Sequence, residues 1–150
     1  MARIFQASYS DIPRIMECAR MFTDNIPQCN FNEAHYRKAW ENYFRLGIGV
    51  IFLAEDAGEI LGGIGGVKFQ EDLSGEWYAV EKFWYMKPEH RKSSAGIKLL
   101  RSFERWASAN GCDYSAMIDL QCSMVDRIDG FYERDGYELL EKHYVKRVKK

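Results

Sequence analysis

The chain has 150 residues, 47% of them hydrophobic, 29% charged and 15% aromatic, with a formal net charge of −1. This composition excludes a disordered, collagen-like or low-complexity chain, and the length reads as one domain over residues 1–150. There is no basic surplus to suggest general nucleic-acid binding, and the longest uncharged apolar runs, Leu46 to Ala54 and Ile60 to Val67, fall far short of the roughly 20 residues that cross a bilayer. The first residues, Met1 to Ile15, carry no apolar h-region, so a cytoplasmic location is expected.

In chain order, Arg3 to Ala7 reads as a first strand. Ser8 or Ser10 can cap a helix that holds Asp11 and Pro13 in its first turn, with Ile12, Ile15, Met16, Ala19 and Phe22 at helical spacing. Asn25-Ile26-Pro27 breaks that helix, Asn32 caps a second one carrying Tyr36, Trp40, Tyr43 and Phe44, and Gly47 ends it. Two apolar strands, Ile48 to Ala54 and Ile60 to Phe69, flank the hairpin turn Glu55-Asp56-Ala57-Gly58. Glu76 to Met86 is a third strand, stopped by Pro88. A helix from about Ser94 to Ala109, a strand Tyr114 to Leu120, a short helix Val125 to Arg134 and a last strand Tyr137 to Val148 complete the order β-αα-βββ-α-β-α-β. That order implies an α/β fold with a mixed, mostly antiparallel sheet flanked by helices.

Two tempting features carry little. Leu61-Gly62-Gly63-Ile64-Gly65-Gly66 does not spell G-x-G-x-x-G and runs on into Val67-Lys68-Phe69 as strand, so its glycines read as room for a bulge or close packing rather than a nucleotide loop. Cys18, Cys29, Cys112 and Cys122 lack C-x-x-C or metal-ligand spacing and read as small buried or half-buried thiols, with no metal.

The segment Arg91-Lys92-Ser93-Ser94-Ala95-Gly96 lies between a strand and an amphipathic helix. Unpaired N–H groups at the helix start, the helix dipole and two basic side chains together suit an anion. On physics alone it reads equally as a phosphate cradle and as a well-capped helix with two solvated cations. Glu81 lies mid-strand among Trp77, Phe83 and Trp84, where a carboxylate is either an exposed edge charge or part of a site. Asp119, near the end of the next strand, is a similar candidate.

The turn resembles the Q/R-x-x-G-x-G/A acetyl-CoA motif of the GNAT superfamily of N-acetyltransferases, with Ser94 at the first glycine position. Met86-Lys87-Pro88-Glu89-His90-Arg91 is similar to that family's V-x-P-x-x-R lead-in. Phe131-Tyr132-Glu133-Arg134-Asp135-Gly136-Tyr137 is similar to its second signature, F-Y-E-x-x-G-F/Y. Val125 stands where many members carry asparagine, and after Tyr137 one bent strand or a tight hairpin is expected in place of a long final hairpin.

The resemblance implies an acyltransferase that moves an acetyl group from acetyl-CoA to a primary amine of a small molecule or peptide. CoA would lie on Arg91, Lys92, Ser93, Ser94, Ala95 and Gly96, with its pantetheine arm along the backbone near Trp84 and Met86. Tyr132 would be the general acid. Glu81 is the expected general base, with Asp119 in reserve; burial would raise the Glu81 pKa toward the useful range. Strict alternation puts Glu81 on the face opposite Trp84, and a bulge between them would bring the two together. Family members are often homodimers. The alternative is a domain of the same fold that binds CoA as a sensor or interaction module without transferring anything. A third reading is an unrelated phosphate-binding α/β domain, which would show no preference for CoA.

Overall fold

The computed structural model describes residues 1–24, 26, 29–119 and 128–149. Five strands form one sheet in the order β1-β2-β3-β4-β5: β1 Arg3–Gln6, β2 Gly49–Asp56, β3 Glu59–Gln70, β4 Trp77–Met86 and β5 Tyr114–Ala116. The first four pair antiparallel, and β5 joins β4 in parallel. Helices α1 (Ile12–Thr23) and α2 (Glu33–Leu46) follow β1, α3 (Ala95–Ala109) links β4 to β5, and α4 (Ile128–Arg134) follows β5.

Local chemistry sets the helix ends. The Ser8 N–H donates to the Asp11 carboxylate at 2.8 Å, and a 3-10 turn over Tyr9–Asp11 feeds α1. Asn32 Oδ1 accepts the His35 N–H at 3.0 Å. Gly47 closes α2 in the left-handed region at φ +69°, where a side chain would be strained. Ala57 and Gly58 both have positive φ, the signature of a two-residue hairpin turn whose twist matches its strands.

The sheet is covered on both faces. On one, Ile15, Met16 and Cys18 of α1 and Trp40 of α2 pack against Ile51, Leu53, Phe83 and Tyr85. On the other, Leu99, Leu100 and Phe103 of α3 pack against Val50, Ile64, Ala79 and Met86, with Trp84 and Phe131 at the border. The glycine-rich β3 lies between these layers. A Cβ on Gly66 would stand 2.5 Å from the Phe103 ring, so the glycine is what lets α3 come this close. Among the described residues no helix is long and apolar enough to cross a membrane.

The C-terminal third departs from the sequence expectation. The strand expected from Tyr114 to Leu120 pairs only as far as Ala116, and Leu120 lies outside the described residues. The reason lies at Ile118. Its N–H donates to the Glu81 carboxylate and its carbonyl accepts from the Tyr132 hydroxyl, so side chains take the groups a ladder would use. Residues 125–127 at the start of the expected short helix also lie outside the described residues, and α4 is described from Ile128. The strand expected from Tyr137 to Val148 is corrected: residues 137–149 carry no strand. Leu139, Leu140, Tyr144, Val145 and Val148 of that stretch are exposed, and apolar alternation alone does not make a strand when its apolar side chains are buried against nothing.

Candidate active site

The site forms where β4 and β5 part. Their pairing ends at Val80 opposite Ala116, and β4 continues from Glu81 to Met86 with β3 as its partner. The β3–β4 register slips just there: Gly66 faces Glu81 while Gly65 faces Phe83, so Lys82 is an inserted residue. Such a bulge resets the alternation of the strand. Phe83 and Tyr85 turn to the α1–α2 core, while Trp84 and Met86 turn to the α3 side with Ala79. The bulge therefore brings Glu81 and Trp84 to one face, the condition the sequence left open.

Glu81 is 5% exposed, and burial pushes its carboxyl up to about 8 against the pull of the Ile118 N–H. Tyr132 is 8% exposed and its hydroxyl donates to the Ile118 carbonyl at 3.1 Å. Burial first, then the nearby Glu81, Tyr137 and Asp119 charges, holds the phenol far above its ordinary pKa, so it stays protonated. The Trp84 ring lies 6.2 Å from that of Tyr132 and 6.0 Å from that of Phe131, centroid to centroid. Asp119 is exposed, unlike Glu81, while remaining close enough to act on Tyr132.

The turn before α3 is the second part. Pro88–His90 forms a 3-10 turn, and Arg91 folds back so that its Nε donates to the Met86 carbonyl at 3.0 Å. The Ser93 hydroxyl donates to the His90 carbonyl at 2.7 Å and accepts the Ala95 N–H at 3.3 Å. Ser94 has φ −72° and ψ −8°, ordinary helical backbone that any residue adopts, so serine in place of glycine strains nothing. The first intrahelical bond runs from the Lys98 N–H to the Ser94 carbonyl, so the N–H groups of Ala95, Gly96 and Ile97 precede it. Arg91, Lys92, Ser93 and Ser94 are exposed around them. A Cβ on Gly96 would stand 3.4 Å from the Met86 side chain, an ordinary contact.

Two features escaped sequence reasoning. Ile118 acts through its backbone, which no side-chain motif reports. Arg101 of α3 grips Asp135 through both carboxylate oxygens and Glu104 at 2.9 Å. The Tyr137 hydroxyl donates to Glu104 at 2.8 Å and lies 3.0 Å from the Ser115 hydroxyl. This network ties the end of α4 to α3 and β5, and so holds the short helix that carries Tyr132. Asp135 and Tyr137 belong to the recognised signature; nothing local marks Arg101 as their partner.

The model of the acetyltransferase (GNAT) family matches residues 15–137. No curated protein matches the chain in sequence. A predicted acetyltransferase from Clostridium acetobutylicum, crystallised with acetyl-CoA, aligns with TM-score 0.81 at 14% identity over 99% of this chain and 97% of that one. An aminoglycoside acetyltransferase from an uncultured soil metagenomic sample, in complex with sisomicin, aligns with TM-score 0.77 at 17% identity over 99% and 97%. Glucosamine-6-phosphate N-acetyltransferase from Arabidopsis thaliana aligns with TM-score 0.76 at 14% identity over 99% of each chain. At such identities the likeness fixes the fold. The residues of this chain also suit acetyl-CoA as the donor: an N-terminal turn of α3 flanked by two cations, a stretch of β4 beyond its pairing with β5, and a buried Trp84 indole N–H without a partner among the described residues.

Proposed function

The chain belongs to the acetyltransferase (GNAT) family, and from that premise we propose that it moves an acetyl group from acetyl-CoA to a primary amine of a small molecule or peptide in the cytoplasm. Acetyl-CoA supplies the acetyl thioester. The turn from Arg91 to Gly96 receives its pyrophosphate, since N–H donors and positive charge meet there. The backbone of β4 at Trp84 and Met86 receives the pantetheine arm as an added strand would be received.

The observation that carries the reading is the pair of groups held on Ile118. An amine arrives as an ammonium ion and attacks only once neutral. Glu81, directly or through a water, takes that proton, and a carboxyl pushed up to about 8 is well matched to the task. Tyr132 keeps its proton across the working range and gives it to the departing sulfur by turning its hydroxyl away from the Ile118 carbonyl. One group is tuned to accept a proton and its neighbour to hold one, the division of labour that acid–base chemistry needs.

The acceptor side is supported by less. Of the acids beside the β3–β4 loop that would suit a cationic amine, Glu71 is turned into its own loop, where its carboxylate accepts the Leu73 and Ser74 N–H groups. Glu76 lies at the Tyr114 hydroxyl, 3.4 Å away. Release of free CoA over a panel of polyamines, aminoglycosides, amino acids and peptides tests the proposal. Turnover with at least one class is expected. A CoA-induced thermal shift without turnover on the whole panel would overturn it in favour of a CoA-binding module.

A further inference from the structure

The α3 face of the sheet holds a donor that none of the described residues satisfies. The Trp84 indole Nε1 is shut off from solvent and has no hydrogen-bond partner among the described residues. A buried N–H left unpaired is destabilising, so one that persists calls for a specific cause. The position of the ring narrows that cause. Trp84 lies on the part of β4 beyond its pairing with β5, and the bulge at Lys82 turns it to the side of Glu81 and Tyr132. Its ring packs on Phe131, which offers no acceptor, and on Tyr132, whose hydroxyl donates to the Ile118 carbonyl and makes no hydrogen bond with the indole N–H. No described residue supplies the missing acceptor, and the ring lies on the part of β4 that β5 does not cover.

We propose that the Trp84 indole N–H donates to a carbonyl oxygen of the thioester–pantetheine arm of acetyl-CoA. This contact is distinct from the backbone groups of the same strand. It rests on acetyl-CoA as the donor, and not on the amine acceptor or on the roles of Glu81 and Tyr132. The arm offers two kinds of carbonyl. On a pantetheine amide the indole positions the arm. On the thioester it also meets the oxygen on which charge grows as the amine attacks, where a fixed donor counts most.

The test is a resonance, read without turnover. Protein labelled with nitrogen-15 gives four indole signals, from Trp40, Trp77, Trp84 and Trp106. Trp84→Phe identifies its own by loss; if that variant does not fold, single Phe variants of the other three identify it by elimination. CoA and acetyl-CoA are then added separately to the wild-type protein. The Trp84 signal should move downfield, as an N–H does on gaining an acceptor. Movement with both ligands assigns a pantetheine amide, and movement with acetyl-CoA alone assigns the thioester. Trp84→Phe keeps a ring and deletes the N–H, and should bind the responsible ligand about five- to tenfold more weakly. A Trp84 signal that stays in place while the ligand binds, with unchanged affinity in Trp84→Phe, overturns the contact. Failure of both ligands to bind would overturn the donor and the contact with it. An amine panel without turnover, beside a moving Trp84 signal, would overturn only the transfer reaction.

Discussion

Glu81 and Tyr132 are joined through one residue: Glu81 accepts the Ile118 N–H, and Tyr132 donates to the Ile118 carbonyl at 3.1 Å. The proposed base and the proposed acid thus share a single backbone anchor. Moving either by rotamer alone breaks a hydrogen bond to Ile118, which restrains both side chains. Burial outweighs the Ile118 hydrogen bond, and no cation among the described residues offsets it, so the carboxyl pKa rises rather than falls.

The pH dependence of turnover follows. A base raised to about 8 is mostly protonated at neutral pH and becomes competent as the pH climbs. The rate should rise with pH through about 8 and then level. Glu81→Gln should lower kcat by about 10²–10³-fold, lose that rise and leave CoA binding intact. Steady-state rates across the pH range, with CoA affinity measured alongside, check this. Near-normal turnover in the variant would hand the base role to Asp119 or to bulk water.

The same carboxyl makes stability depend on pH in the less usual direction. Its folded pKa lies above its ordinary value of 4.5, so the folded chain keeps a proton that the unfolded chain has released. Stability should therefore fall as pH rises from about 4.5 to about 8, and stay level above. Glu81→Gln imitates the protonated form and should be the more stable protein at alkaline pH, by on the order of 1–3 kcal/mol. Urea unfolding of both proteins at acid, neutral and alkaline pH reads the difference. Parallel curves over the whole span would mean that the carboxyl is solvated.

How legible all this was in the sequence differs along the chain. Up to Ala109 the elements announce themselves through caps, periodicity and turn residues: Asn32, Gly47, Ala57-Gly58 and Pro88 each stand where the chain changes course. Beyond it the deciding interactions are long-range. The strand after Tyr114 stops early because Glu81 and Tyr132, distant in sequence, take the Ile118 backbone, and no local propensity encodes that. The face of Glu81 was equally hidden, since an inserted residue at Lys82 is invisible to alternation. The turn at Arg91 was legible because its chemistry is local: a strand end, two cations, small residues and a helix start in a row.

At that turn Arg91 has one structural tie and one proposed task, which binding and stability measurements tell apart. Its Nε holds the Met86 carbonyl, and its guanidinium, 5.8 Å over the Tyr85 ring, belongs to an exposed side chain with further donors to offer. Arg91→Ala should weaken CoA by roughly 1.5–3 kcal/mol, the scale of hydrogen bonds to a charged group. Ser94→Gly should leave CoA affinity within about threefold, because the backbone at φ −72° needs no glycine and the serine side chain caps nothing. Calorimetric titration with CoA measures both. A tenfold loss in Ser94→Gly, about 1.4 kcal/mol, would make the hydroxyl itself a contact. Unchanged affinity with a lowered Tm in Arg91→Ala would leave that residue only its structural tie.

Tyr132→Phe isolates the proposed acid. The variant keeps the ring, and with it the packing on Trp84, Phe131 and Tyr137, and removes only the hydroxyl. Loss of the bond to the Ile118 carbonyl should cost about 1 kcal/mol in folding stability. Loss of the proton donor should lower kcat by roughly 10–10³-fold, with CoA affinity preserved. The acid role also predicts selectivity among leaving groups. A donor whose thiol is more acidic than that of CoA needs less help as sulfur departs, so an acetyl thioester of such a thiol should lose less rate in the variant than acetyl-CoA does. Parallel kcat and denaturation measurements on the two proteins decide the matter. A drop in stability with kcat untouched would make Tyr132 a structural tyrosine that holds the Ile118 carbonyl in place, and the thiolate would then leave unaided.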